Sequence, residues 1–341
     1  MLHFRNDYGN GAHPKVMEAL CKTNLELTVG YGLDDYCRGA SDLIRELCNC
    51  PQAQVHYIVG GTQANKIVVD AFLRSWEAVI SADSGHIQVH EAGAIEHNGH
   101  RICQLPGVNG KITAQQIRDF CALYGQDETS PAPRLVYISN TTEFGTVYSL
   151  QELQQLRAVC DEQGLLLYCD GARLACALVA GDATLADYAA NCDAFTIGGT
   201  KNGLLFGEAL VITNPALMPS FRRCLKQQGA MLAKGRLLGV QYQAVLEDGL
   251  YERLAQDSMA AAQRLNRGLQ ALQIPQLIAS PSNQLFPVLP NGVIEQLKQQ
   301  VAFEFWSKVD DDHSCIRFVT AWHTTAEEVD ALLALLQEAG A

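Results

Sequence analysis

Two short apolar runs, each closing on a chemically active residue, constrain this chain more than any other feature. Residues 165–169 end in Asp170-Gly171, within LLLYCDGARL, and residues 194–197 end in Gly198-Gly199-Thr200-Lys201, within DAFTIGGTKNG. Apolar runs of this length, punctuated by glycine, read as strands buried on both faces. In an α/β sheet, ligand chemistry gathers beyond the carboxyl ends of such strands. One end here offers a carboxylate and the other a primary amine. An acid that can hold a protonated ring nitrogen and an amine that can form a Schiff base are what pyridoxal phosphate requires of a protein. Singly, Asp-Gly reads as a turn and a lysine near glycine as a solvated side chain. Asp170, Arg173 and Lys201 together, each at or just past an apolar run, point to a site.

Strand and helix patterns alternate around this pair. Strands are expected at residues 55–59, 79–82 and 135–139, and helices at 41–50, 66–76 and 150–163. That order argues an α/β fold with a mostly parallel sheet and helices on both faces. Gly60-Gly61-Thr62 joins a strand to a helix, an arrangement that turns backbone N–H groups and a helix dipole toward an anion. The GxGxxG spacing of dinucleotide enzymes is absent. Residues 1–14 read as an irregular arm, with a helix starting at Pro14. The Gly- and Asp-rich stretch 30–36 reads as a loop, and 237–272 is helical in pattern. Past residue 272 the pattern changes to strands at 283–289 and 315–320 and helices at 293–301 and 325–338. The expected division is therefore an N-terminal arm of 1–14, a large domain of 15–247 and a smaller C-terminal α+β domain of 248–341.

Composition removes several functions. The 341 residues are 48% apolar, enough for a large core, yet no apolar run reaches the roughly 18 residues of a spanning helix. The start, MLHFRNDYGN, lacks the apolar stretch of a secretory signal. Net charge is −12 and the 25 Lys and Arg are scattered, so neither nucleic acid nor a membrane is an expected partner. Many of the 12 cysteines, including Cys160, Cys169, Cys176 and Cys192, sit in apolar runs as small hydrophobes, which suits a reducing cytoplasm. His86 and His90 are one helical turn apart, but HExxH is absent and no carboxylate has the right offset, so no metal is expected. His86 reads better as a flat ring at a strand end. Arg317, inside the apolar CIRFVT, needs a partner or a cleft.

Taken together, these stretches resemble the threonine aldolases, pyridoxal-phosphate enzymes of the fold-type-I aminotransferase superfamily. The likeness runs through nearly the whole chain in order. FRNDYGN stands at an LRSDTVT-like start, VGYGLDD at an acidic Tyr-Gly loop, and GGTQAN at an SGTxAN phosphate turn. HIQVHEAGA matches a histidine segment ending in EAGG, DGARL is unchanged, GGTKNG carries the lysine, and IRFVT matches RLVT. The finer likeness is to the phenylserine aldolases.

The resemblance implies cleavage of a β-hydroxy-α-amino acid, of threonine, allo-threonine or phenylserine type, to glycine and an aldehyde. The alternative is a β-eliminating lyase or racemase on the same fold. Lys201 would hold the cofactor, Asp170 its ring nitrogen and His86 its ring face; these three are the expected catalytic residues. Gly61, Thr62 and Thr200 would take the phosphate. Arg173 and Arg317 would clamp the substrate carboxylate, with Asn6, Tyr31 and Thr142 also toward substrate. Asn6 replaces a family serine, and Thr142 stands where the family has a histidine, which leaves His86, Glu91, Glu143 or a water as the base. A homodimer or homotetramer is implied, with the Tyr31 loop reaching a neighbouring subunit.

Overall fold

The computed structural model describes residues 1–125 and 127–341. Its centre is a seven-stranded sheet in the order Gln54–Ile58, Glu208–Ile212, Ala194–Gly198, Leu166–Asp170, Ala132–Ser139, Glu77–Ala82 and Arg101–Leu105. All neighbours run parallel except Glu208–Ile212, which is antiparallel to both of its partners. Both faces are covered, and alternation along Leu166–Asp170 shows how. Leu167 and Cys169 enter one apolar cluster, while Leu166 and Tyr168 enter the other. A strand buried on both sides must read as an unbroken apolar run.

The carboxyl ends of the two organising strands are stitched together. Gly198 N–H donates to Gly171 O at 3.0 Å. A Cβ at Gly171 would stand 1.9 Å from Thr196 O, so only glycine lets the Asp170 turn approach the lysine strand.

Helix boundaries differ from expectation where capping decides them. The helix expected at 41–50 runs instead over Asp35–Leu47, because the Asp34 side chain accepts from Cys37 N–H and starts it earlier. Part of the expected loop 30–36 is therefore helical. The helix expected at 66–76 is Gly61–Phe72, starting directly behind Gly60. The helical pattern of 237–272 is realised as two helices, Arg236–Leu246 and Leu250–Ala271, parted at Gly249 with φ +65°.

That turn leads into a second layer. Strands Gln284–Leu285, Val288–Pro290, Glu304–Lys308 and His313–Val319 form an antiparallel sheet under Leu250–Ala271 and Ala326–Glu338, with an apolar cluster of their own. The first residues of the N-terminal arm pack on this layer. Leu2–His3 pairs in parallel with Val301–Ala302, and Phe4 is buried in the C-terminal cluster.

Candidate active site

The carboxyl ends of the large sheet face the smaller layer across a cleft of about 570 Å³. Its lining includes Tyr8, His86, His90, Glu143, Phe144, Arg173, Lys201, Gln284, Glu304, Trp306 and Arg317. At its floor lies a buried polar network. Asp170 Oδ2 accepts from Asn65 Nδ2 and from the Tyr137 hydroxyl, each at 2.8 Å, and Oδ1 accepts from Ala172 N–H at 2.9 Å. Asn65 Nδ2 also donates to Glu91 Oε1 at 2.7 Å, and Asn65 Oδ1 accepts from the Tyr168 hydroxyl at 2.8 Å. His86 Nδ1 lies 2.7 Å from that same Glu91 oxygen. Donors converge on Asp170 from three directions and fix its carboxylate in place. His86, Glu91 and Asp170 each place one atom within 4.8 Å of the others, but the Asn65 amide already bridges the two carboxylates.

Charge in the cleft follows from these contacts. Burial works against a charged His86, but the Glu91 hydrogen bond and the nearby Asp170 and Glu91 charges raise its pKa above the usual imidazole value. Burial and the Arg173 charge lower the pKa of Lys201, against the pull of Asp7, Asp170 and Glu208. Among the described residues the Lys201 amine has no hydrogen-bond partner; the Tyr8 ring lies 6.0 Å from it. A half-buried amine shifted toward its neutral form is a nucleophile.

The two arginines are unequal. Arg173 is paired in bidentate fashion to Asp7, Nε to Oδ2 at 2.7 Å and Nη2 to Oδ1 at 3.0 Å. Although burial opposes it, the Arg173 charge keeps Asp7 below the usual carboxylate range. Arg317 has no carboxylate partner among the described residues. Its Nη1 donates to Gln284 Oε1 at 3.3 Å, its guanidinium stacks 5.4 Å from the Trp306 ring centroid, and its buried Nε is unpaired. Arg317 is thus the cation with capacity left for an anionic ligand.

The helix Gly61–Phe72 opens without a side-chain cap, and a Cβ at Gly60 or Gly61 would meet nothing within 4 Å. An uncapped helix start facing open space suits a phosphate. Thr62 is exposed on this first turn. Thr200 Oγ1 accepts from Gly207 N–H at 3.0 Å and reaches Glu208 Oε1 at 3.4 Å. These residues fit pyridoxal phosphate: a free amine, an acid held by three donors, a histidine ring and an uncapped helix start.

Three of the expected substrate residues do not line this chain's cleft, Tyr31 among them being expected at a neighbouring subunit's. Thr142 is fully buried and does not line the cleft. Its hydroxyl bonds Thr146 Oγ1 at 2.7 Å, and it packs so closely on Gly110 that a Cβ there would lie 2.9 Å away. The chain turns at Gly145, with φ +70°, and presents Glu143 and Phe144 to the cleft instead. Asn6 accepts from Tyr8 N–H at 3.2 Å, and it is Asp7 that reaches inward. Tyr31 lines a separate hollow with His56, Arg222 and Met231; its carbonyl accepts from Arg222 and its ring lies 4.9 Å from Lys226 Nζ. Sequence reasoning missed Asn65, Tyr137, Asp7 and the Phe144–Trp306 wall. Asp7 was legible as an acid in the same FRNDYGN segment and Asn65 as the last residue of GGTQAN; Tyr137, Phe144 and Trp306 carry no local signal.

Residues 4–288 match the family described as Beta-eliminating lyase. The low specificity L-threonine aldolase of Pseudomonas aeruginosa is 33% identical over 96% of this chain and 95% of its own. That of another Pseudomonas strain is 32% identical over 97% of this chain and 96% of its own. A solved threonine aldolase of Leishmania major superposes with a TM-score of 0.98 at 43% identity, covering 100% of both chains.

Proposed function

The chain belongs to the threonine aldolase family, and on that premise we propose that it cleaves β-hydroxy-α-amino acids between Cα and Cβ, releasing glycine and an aldehyde. The observation that carries this reading is the unpartnered Lys201 amine, facing the same cleft as the carboxylate-free Arg317 and standing beside an Asp170 held by three donors. When bound there, pyridoxal phosphate supplies a sink for the electrons of a bond broken at Cα.

The chain's own groups do the rest. Lys201 supplies the amine that would hold the cofactor, and Asp170 the charge that keeps its ring nitrogen protonated. Gly61 and Thr62, at the uncapped helix start, and Thr200 would take the phosphate. His86, held by Glu91, would cover the ring face. Arg317 takes the substrate carboxylate, while Arg173, neutralised by Asp7, guides it with its remaining donors. Anchoring the carboxylate orients the Cα substituents and so selects which bond breaks.

A self-associating enzyme in a reducing compartment fits the surface. Leu25, Leu27, Val29 and Leu33 are 91%, 101%, 63% and 55% exposed beside Tyr31, an apolar strip suited to a second copy of this chain as a homodimer or homotetramer. All cysteines are unpaired and most are buried, and no helix among the described residues is long and apolar enough to cross a membrane. A cytoplasmic setting accords with the thiols. Light scattering tests the assembly; an active monomer would remove it.

The decisive assay is an amino-acid panel scored for glycine and aldehyde, with pyruvate and ammonia measured in parallel. Glycine with a matching aldehyde is expected from threonine-type substrates. Pyruvate and ammonia from serine as the dominant products would favour a β-eliminating lyase, the second reading that the family description keeps open.

A further inference from the structure

The cleft holds one histidine that neither the cofactor nor the carboxylate anchor uses. His90 closes the single helical turn His86–Val89, its N–H donating to His86 O at 2.9 Å, so the two rings lie on one side, 5.5 Å apart and tilted by 52°. His90 lines the cleft, and among the described residues neither of its ring nitrogens makes a hydrogen bond.

The other side-chain candidates for a base are already engaged through at least one atom. Glu91 is enclosed and bonded to His86 and Asn65, away from the cleft lining. Glu143 Oε1 accepts from His86 N–H at 2.9 Å and from the Ser139 hydroxyl at 2.7 Å. Glu304 pairs with Arg5 at 3.3 Å. His86 already uses Nδ1 on Glu91 and, being held toward its protonated form, is a donor.

We propose that His90 is the general base that accepts the β-hydroxyl proton of the substrate. The inference rests on the aldolase reading and deepens it. In the step, the O–H bond breaks and its proton passes to a ring nitrogen of His90. The released pair forms the second C–O bond of the aldehyde, and the Cα–Cβ bond breaks with its electrons remaining on the glycine fragment until Cα is protonated. His90 stands at the exposed rim of the cleft, so its proton returns to solvent. Burial and the charges of His86, Arg317 and Lys201 hold its pKa below the usual imidazole value, against Glu91, so the neutral form needed for proton uptake prevails at neutral pH. The remaining charged groups that line the cleft are Glu143, Arg173 and Glu304.

The test compares wild-type holoenzyme with His90→Gln and His90→Asn in two reactions. Cleavage of threonine should fall by about 10²–10⁴ in kcat, the usual worth of a positioned base. Exchange of the glycine α-proton in deuterium oxide, which involves no β-hydroxyl, should change by less than roughly threefold and shows that the variant is folded and loaded. The acid limb of kcat/KM should coincide with the His90 titration followed by NMR on isotope-labelled wild type, without and with cofactor. That limb should be absent from His90→Gln. Cleavage by both variants within about threefold of wild type, or an NMR titration of His90 unconnected with the limb, overturns the assignment. Should neither variant load cofactor, the wild-type NMR titration decides alone. Wild type that releases no glycine and aldehyde from any β-hydroxy amino acid overturns the aldolase reading and this assignment together. Wild type and variants cleaving equally overturn only the role of His90.

Discussion

Replacing Asp7 by asparagine should reveal how much the unequal arginines matter. Asp7 is 2% exposed, pairs with Arg173 through two hydrogen bonds and accepts a third from Asn283 Nδ2 at 3.0 Å. Asp7→Asn keeps the shape but leaves a buried guanidinium without a counter-charge, a loss of about 3–5 kcal/mol. With an unfolding entropy of about 2.1 cal/mol/K per residue, the 341 residues give ~0.7 kcal/mol/K, so Tm should drop by about 4–7 °C. Calorimetry at constant protein and cofactor concentration measures it. Because the folded pKa of Asp7 is depressed, its contribution is present above the unfolded carboxylate value and is lost as pH falls through the folded one. The gap between wild type and Asp7→Asn should therefore close in acid. Asp7→Asn/Arg173→Met, with both charges removed, should fall short of the sum of the single losses. A Tm for Asp7→Asn within about 1 °C of wild type, or strict additivity, would refute the pairing.

Borohydride reduction followed by peptide mapping should place the cofactor adduct on Lys201; an adduct on another lysine would displace it from its role. Tyr137→Phe removes one donor from Asp170, a loss of about 1.5–3 kcal/mol for a charged acceptor, and should weaken cofactor retention in equilibrium dialysis by at least about tenfold. Trp306→Ala removes the partner of Phe144 and Arg317 in the cleft wall, and should lower kcat/KM for phenylserine by about tenfold or more relative to threonine. Glu91→Gln should lower the His86 pKa, read by NMR. The raised folded pKa means that the stability it confers is full at acid pH and is lost as pH rises through that value, so Glu91→Gln should flatten the dependence of Tm on pH.

What could be read from the amino acids alone follows their chemistry. Residues 165–170 and 194–198 were legible because strands buried on both faces leave unbroken apolar runs, and the pairing of Asp170 with Lys201 followed from their place at the strand ends. The helix Leu150–Gln163 was legible to the residue, since Ser149 and Glu152 form a capping box that marks its start. Asp34 was a capping signal too, but it is embedded among glycines and tyrosines that read as loop. The Asn65–Tyr137–Glu91 network was not legible, because its members come from three segments whose partners appear only when the sheet is assembled. Thr142 shows the limit of positional likeness. A place in a motif says nothing of which way a loop side chain points, and the turn at Gly145 presents its neighbours in its stead. For similar reasons His90 read as half of a discarded metal pair.

The pairing of Leu2–His3 with Val301–Ala302 has a consequence for synthesis. The first residues leave the ribosome early, yet their partner strand is made about 300 positions later, roughly 15–60 s at ordinary elongation rates. Until then Phe4 has no C-terminal cluster to enter, and Asp7 lacks Asn283, although Arg173 has long been available. The wall that carries Trp306 and Arg317 arrives at the same late moment. The cleft is therefore completed only once residues 301–319 have been made, and a nascent chain that carries Lys201 but not these residues cannot yet bring Arg317 to a substrate. An insertion ahead of Leu2 would press on this last-formed seam and through Asp7 reach the anchor arginines, whereas the same insertion after Glu338 would trail from the end of an outer helix.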